Sequence, residues 1–252
     1  MSRIKKILVS QPKPQNNKSP FFDLADKHNL KVDFRPFIHV EGISTKEFRK
    51  SKVNFSDHTA VIFTSKTAID HYFRIAEEMR VTIPDTMKYF CKSESTAYYL
   101  QKYIVYRKRK IFFGNGKLSD LMDVMVKHKN EEFFVPVSNA HKEEIPDLME
   151  KHNYSFTKSV LYKTECSDLS DLADVNYDVL VFYSPSGIKS LLQNFPDFKQ
   201  NNTKIASFGE KTANAVKEAG LRLDIKAPAP QAPSMTMALE NFIKDHNKNG
   251  KG

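Results

Sequence analysis

The stretch "FYSPSGI" at 182–188 follows an apolar run, Val179, Leu180 and Val181, and it has a near-copy far upstream. There "FTSKTAI" at 63–69 follows Ala60, Val61 and Ile62. An apolar run, a hydroxyl residue and then a segment of helical period reads as a buried strand, a tight turn and a helix start. A second pair keeps the same order. "KYFCKSESTA" at 88–97 aligns with "KIASFGEKTA" at 204–213, matching Lys88 to Lys204, Glu94 to Glu210, Thr96 to Thr212 and Ala97 to Ala213. One short echo can arise by chance. Two in register imply a chain built as two lobes of similar α/β architecture.

The rest of the chain agrees with that plan. Strand candidates fall at 6–10, 31–37, 59–63, 88–91, 132–135, 156–162, 178–183, 204–208 and 221–226. Helical periods occupy 66–79, 94–103, 118–128, 142–152, 185–195, 210–219 and 234–246. Several strands are apolar throughout, as parallel strands covered by helices on both faces must be. The predicted fold class is α/β, with parallel sheets of doubly wound, flavodoxin-like type. The tail "KDHNKNGKG" at 244–252 reads as disordered.

Composition narrows the function. Of 252 residues, 27% are charged and 40% hydrophobic, a globular balance. No apolar run approaches the roughly 20 residues of a membrane span. "MSRIKKILVSQPKP" lacks a small-residue cleavage site and reads as a first strand, not a signal peptide. Cys91 and Cys166 lack disulfide or metal spacing, so free thiols in a reducing cytoplasm are expected. The net charge of +9 admits nucleic acid, an anionic membrane surface or a polyanionic small molecule as partner. The densest basic run, "YRKRK" at 106–110, reads as an exposed edge or loop, and no nucleic-acid-binding signature accompanies it.

The strand-to-helix turns carry the chemistry. A helix N-terminus presents unpaired N–H groups and the positive end of its dipole, a ready place for an anion. Ser65, Thr67, Thr96, Ser184, Ser186 and Thr212 stand at such junctions, with Lys66 and Lys211 beside them. The plain alternative is that they are helix caps, worth about 1 kcal/mol each. In open α/β sheets, however, the carboxyl edge of the strands is where ligands bind. The ligand expected is an anion with several widely spaced carboxylates or phosphates, taken in one cleft by both lobes. Nucleotide fingerprints are absent, "FGNG" at 113–116 is a turn, and the histidines form no metal-spaced pair, so no cofactor and no metal are expected.

"VFYSPSGIKSLL", "KIASFGEKTANAVKEAGL" and the Pro-rich "APAPQAP" before a last helix resemble the C-terminal part of the uroporphyrinogen-III synthase family. "VIFTSKTAIDHYF" is similar to that family's matching segment in the other lobe, and "SVLYKTE" at 159–165 to its return between lobes. The resemblance implies an enzyme whose first lobe holds both chain ends, here 1–38 with 166–252, and whose inserted second lobe is 39–165, joined by two crossing strands. It also implies a reaction without cofactor. Hydroxymethylbilane, a linear tetrapyrrole with eight carboxylates, is cyclised to uroporphyrinogen III with inversion of the terminal ring and loss of water, in haem biosynthesis. By resemblance Tyr162 is the proton donor. The implied substrate contacts are Ser65, Lys66, Thr67, Ser93 and Thr96 in one lobe, and Ser184, Ser186, Gly187, Gly209, Lys211 and Thr212 in the other. The expected protein is a cytoplasmic monomer that binds a small molecule and neither nucleic acid nor membrane.

Three positions depart from the family pattern: Gln11 where arginine is usual, Ser93 opposite Gly209 where glycine is usual, and Val137 in a segment without the expected arginine. Two alternatives follow from the same residues. One is a non-catalytic two-lobed binder of a tetrapyrrole or other polyanion. The other is a nucleic-acid binder resting on Arg107 to Lys110.

Overall fold

The computed structural model describes residues 3–15, 18–140 and 144–249. The chain opens with β1 (Lys6–Val9), α1 (Pro20–His28) and β2 (Lys31–Phe34). It continues through β3 (Ile38–Gly42), α2 (Thr45–Lys50), β4 (Ala60–Phe63), α3 (Lys66–Glu78), β5 (Lys88–Cys91), α4 (Glu94–Tyr99), β6 (Ile111–Phe113), α5 (Leu118–Met125), β7 (Phe133–Ser138), α6 (Glu144–Lys151) and β8 (Phe156–Cys166). It ends with β9 (Val179–Phe182), α7 (Pro185–Asn194), β10 (Lys204–Phe208), α8 (Glu210–Glu218), β11 (Ile225–Ala227) and α9 (Met235–Asn249). Two compact units result: unit 1 is Met1–His39 with Glu165–Gly252, and unit 2 is Val40–Thr164.

Unit 1 is built on a sheet in the order β11-β10-β9-β1-β2, paired in parallel. Alternate residues of each strand enter different cores. Ile7, Val9, Val179 and Val181 pack with Phe21, Leu24 and Leu239 on one face. Leu8, Leu180 and Phe182 pack with Ile188, Leu191 and Val216 on the other. Each such side chain, fully buried, contributes about 1.5–3 kcal/mol, so both faces must be covered and the strands read as continuous apolar runs. Strand order reverses between β1 and β9, which makes their carboxyl ends the switch point of this sheet.

Unit 2 carries the sheet β3-β8-β7-β4-β5-β6, with β4 parallel to β5 and β7, β5 to β6 and β7 to β8. Its switch point lies between β4 and β7. The core beneath α3 is aromatic: Tyr72 lies 4.8 Å from Phe55 and 5.4 Å from Phe63, ring centre to ring centre and edge on. Such pairs add about 0.5–1.5 kcal/mol beyond their buried area.

Several expectations need correction. The strand expected at 31–37 stops at Phe34 and a separate β3 begins at Ile38, because Pro36 has no N–H to give a ladder. The strand expected to end at 135 runs through Pro136 to Ser138. Pro136 is tolerated because β7 pairs with β4 only at Phe133 and Phe134, so its missing N–H breaks no bond on that side. The strand at 221–226 shrinks to Ile225–Ala227.

Helix α1, with Ser19 as N-cap and Pro20 in its first turn, the short α2 and the edge strand β6 were not anticipated. The start of the helix expected at 142 lies outside the described residues. The tail expected to be disordered is helical through Asn249. The basic run at 106–110 is a turn leading into β6, the edge of its sheet. Among the described residues, no helix is long and apolar enough to cross a membrane.

Candidate active site

At the carboxyl edge of unit 2, the chain leaves β4 in extended conformation at Ser65 and enters α3. Ser65 Oγ accepts the Ala68 N–H at 3.1 Å, which caps the helix. The same oxygen lies 3.4 Å from Tyr162 Oη. Tyr162 stands on β8, is 9% exposed, and sits in register with Ser138 just after a bulge at Leu161 in β8. Its carbonyl accepts the Asn139 N–H at 3.1 Å, which pins the strand at that point.

The face of Tyr162 is covered by His71, the rings 5.1 Å apart and 17° from parallel. Tyr162 is therefore held in plane by one residue of α3 and at its hydroxyl by the cap of the same helix.

Neighbouring groups fix α3 in turn. Asp70 accepts from Tyr99 at 2.9 Å, from Lys102 at 2.9 Å and from Tyr103. Burial raises the Asp70 pKa, but hydrogen bonds from Tyr103, Lys102 and Tyr99 outweigh it and hold the carboxylate below its ordinary range. Lys66, in the first turn, places its ammonium 5.3 Å from the Tyr99 ring. Thr67 is half-buried beside it.

The second turn of unit 2 is closed on itself. Ser93 caps α4, its Oγ lies 3.0 Å from Thr96 Oγ1 and 3.1 Å from Ser95 Oγ, and Thr96 is buried. Thr96 thus spends its hydroxyl on the cap. A cavity of about 550 Å³ lies beside this turn, lined by Lys92, Gly116, Lys117 and Glu144 among others.

In unit 1, Ser184 caps α7 by accepting the Gly187 N–H at 3.2 Å. A Cβ at Gly187 would come within 3.1 Å of the buried Phe182 ring and 3.7 Å of Ser10 Oγ, at the switch point between β1 and β9. Ser186 is half-buried in the first turn. The next turn is open. Gly209 has φ 84° and ψ 151°, a conformation essentially confined to glycine, and no side chain caps α8. Its own N–H goes to Ala227 O at 2.7 Å. Lys211 is exposed in the first turn, Thr212 is buried, and Glu210 pairs with Lys226 at 2.6 Å, which holds that carboxyl below its usual range.

A larger cavity of unit 1, about 810 Å³, lies at the opposite, amino edge of the strands, lined by Asp178 and Lys204 among others, and touches none of these turns.

Each sheet therefore carries its anticipated hydroxyl turns at its carboxyl edge. Unit 2 brings Ser65 and Tyr162 together, whereas Thr96 and Thr212 point inward. Sequence reasoning missed His71, Asp70 and Tyr99, and no spacing motif marks any of them. Cys91 is buried, which pushes its thiol up to about 12, and Cys166 is half-buried; both are free thiols. Among the described residues, no group of three or more His, Cys, Asp or Glu side chains is placed to hold a metal ion.

Against this geometry stand the likenesses to known proteins. The family model described as "Uroporphyrinogen-III synthase HemD" matches residues 21–237. The crystal structure of uroporphyrinogen-III synthetase from Helicobacter pylori is 17% identical over 96% of this chain and 99% of its own, with a TM-score of 0.62. A mutant uroporphyrinogen III synthase from Thermus thermophilus is 12% identical over 97% of this chain and 99% of its own, with a TM-score of 0.55. At such identities these structures establish the fold. No curated protein sequence matches the chain.

Proposed function

The chain belongs to the uroporphyrinogen-III synthase family, whose members cyclise hydroxymethylbilane in haem biosynthesis, and on that premise we propose that Tyr162 is the acid that releases water from the bilane. The observation that carries this role is the pairing of Tyr162 Oη with Ser65 Oγ at 3.4 Å. Ser65 already accepts the Ala68 N–H, so its own proton is free to go to Tyr162 Oη. The phenol proton is then left for a leaving hydroxyl.

The step balances simply. The C–O bond of the hydroxymethyl group breaks, its electron pair stays on oxygen, and that oxygen takes the Tyr162 proton and departs as water. Pyrrole electrons fill the vacated carbon as an azafulvenium cation, whose positive charge balances the phenolate, and the Ser65 O–H stabilises that phenolate. A phenol is a weak acid, which suffices because the pyrrole itself expels the hydroxyl readily. Holding the bilane in a shape that favours ring inversion over direct closure supplies the remainder.

Carboxylates of the substrate are taken by the edges of the two sheets. In unit 1 the uncapped start of α8 after Gly209 offers backbone N–H groups, with Lys211 nearby, and Ser184, Ser186 and Gly187 offer a second turn. In unit 2, Lys66 and Thr67 offer a smaller counterpart, because Ser93 and Thr96 spend their hydroxyls on their own turn. Two free cysteines suit a reducing cytoplasm. A monomer fits the scatter of exposed apolar side chains such as Val40, Val126, Val175 and Met237; sedimentation of the purified protein tests it.

Product analysis with freshly prepared hydroxymethylbilane tests the function. The bilane closes unaided to the type I isomer, so the control is internal. Type III uroporphyrin after oxidation is expected. Type I alone, formed at the unaided rate, would overturn the reading.

A further inference from the structure

The Tyr162 ring is held by more than its strand. His71 lies flat against it, 5.1 Å between centres and 17° from parallel. The imidazole is itself fixed, because Arg74 Nε donates to His71 Nδ1 at 3.2 Å. Arg74 is anchored twice more, through Nη2 to the Ile43 carbonyl at 2.9 Å and through Nη1 to Glu78 at 2.8 Å.

Strand β3 leaves room for this arrangement at one position. A Cβ at Gly42 would stand 2.6 Å from Arg74 Nη2 and 2.8 Å from His71 Nδ1. Glycine at 42, arginine at 74 and histidine at 71 thus form a single support that ends on the Tyr162 ring.

The Arg74 contact also fixes the tautomer. A ring nitrogen that accepts a hydrogen bond carries no proton, so His71 is neutral with its proton on Nε2. We propose that His71 is a positioning residue for Tyr162, a neutral plate held by Arg74 that keeps the phenol ring in the orientation from which Oη meets Ser65. This rests on Tyr162 being the acid of the reaction. His71 itself touches no substrate in this account, and the stacking needs a flat ring more than it needs a nitrogen.

The charges around the ring say when the plate fails. On α3, Arg74 opposes a second cation, while Asp70 and Glu78 favour one; from β8 the Tyr162 phenol lies against the ring, and from β3 the position beside it is Gly42, which has no titrating side chain. Burial comes first and Arg74 second in lowering the His71 pKa below its ordinary value, and Asp70 and Glu78 only partly offset them. Protonation of Nδ1 would set two donors face to face with Arg74 and break the support. Activity is thus retained at neutral pH and lost on the acid side, below the ordinary histidine range.

The test is a pH profile of kcat for type III formation in the wild type, His71→Ala, His71→Phe and Tyr162→Phe, with the His71→Ala/Tyr162→Phe double variant. His71→Ala is expected to lower kcat by about tenfold to a hundredfold at nearly unchanged KM, as misplaced reacting groups do. His71→Phe keeps the plate; it should recover most of that loss and lose the acid limb of the profile. In the Tyr162→Phe background, His71→Ala should cost nothing further, because the two act as a unit. If His71→Ala leaves kcat and the acid limb as they are, the positioning role is wrong. If Tyr162→Phe retains full rate, the acid assignment itself fails. A loss on His71→Ala in both backgrounds would give His71 some other role.

Discussion

The two Glu-x-Thr turns begin from one pattern and end as different devices. At Ser93 the hydroxyl closes the turn, capping α4 and binding Ser95 and Thr96, so the helix start is satisfied by its own side chains. At Gly209 the backbone adopts a conformation that only glycine takes easily, and the start of α8 has no side-chain cap. The first Ser turns diverge as well. Ser184 caps α7 tightly over Gly187, whereas Ser65 caps α3 and also reaches the phenol of Tyr162. The same backbone plan thus leaves one helix start without a side-chain cap and sets a phenol beside the cap of another, and on the proposed reading the first takes an anion and the second gives a proton. Unit 1 is read as the holder of carboxylates, and unit 2 as the source of the reacting group.

The largest effect that sharpens this contrast is on rate. Tyr162→Phe should lower kcat for type III formation by about a hundredfold or more, the usual worth of a positioned acid; its Ser65 partner predicts a smaller loss for Ser65→Ala. Exchanging the turn residues comes next. Gly209→Ser should destabilise by about 1–3 kcal/mol, because the backbone there is essentially closed to other residues. The reverse change, Ser93→Gly, should cost only a few tenths of a kcal/mol, since glycine is a tolerable N-cap. Denaturant titration of both variants checks the asymmetry, and equal losses would break it.

Gly187→Ala is expected to cost about 1 kcal/mol, as overpacking does in a closed site, because Phe182 is fully buried and cannot withdraw from a Cβ at 3.1 Å. The smallest effect is the Asp70 anchor of α3. Its folded pKa is depressed, so its contribution is present above the unfolded carboxylate range near ~4 and is lost as pH falls through the folded value. Asp70→Asn should therefore lower the unfolding midpoint at neutral pH, and the gap to the wild type should close on acidification.

The repeated strand-turn-helix pattern was legible because it is local: apolar runs, hydroxyl caps and helical periods follow each other within about ten residues. What was missed was short or set by distant contacts. Strand β6 has three residues, too few for any period. Pro136 hid the end of β7, because whether a ladder bond is lost there depends on where β4 stops pairing. In the candidate site, Ser65 and Tyr162 were both singled out, but their meeting was not visible across nearly a hundred residues of chain. His71 carries no spacing signal; its place follows only from α3 packing against β8 and from the room left by Gly42. Thr96 and Thr212 were expected among the substrate contacts, and both are buried within their turns.

The most direct test of this division of labour is steady-state kinetics of type III formation by Gly209→Ser and Tyr162→Phe measured side by side. An interaction used equally by substrate and transition state appears in KM, and one used only in the transition state appears in kcat. Gly209→Ser is expected to raise KM at nearly constant kcat, and Tyr162→Phe to lower kcat at nearly constant KM. The same split in both variants, or the reverse one, would contradict the account.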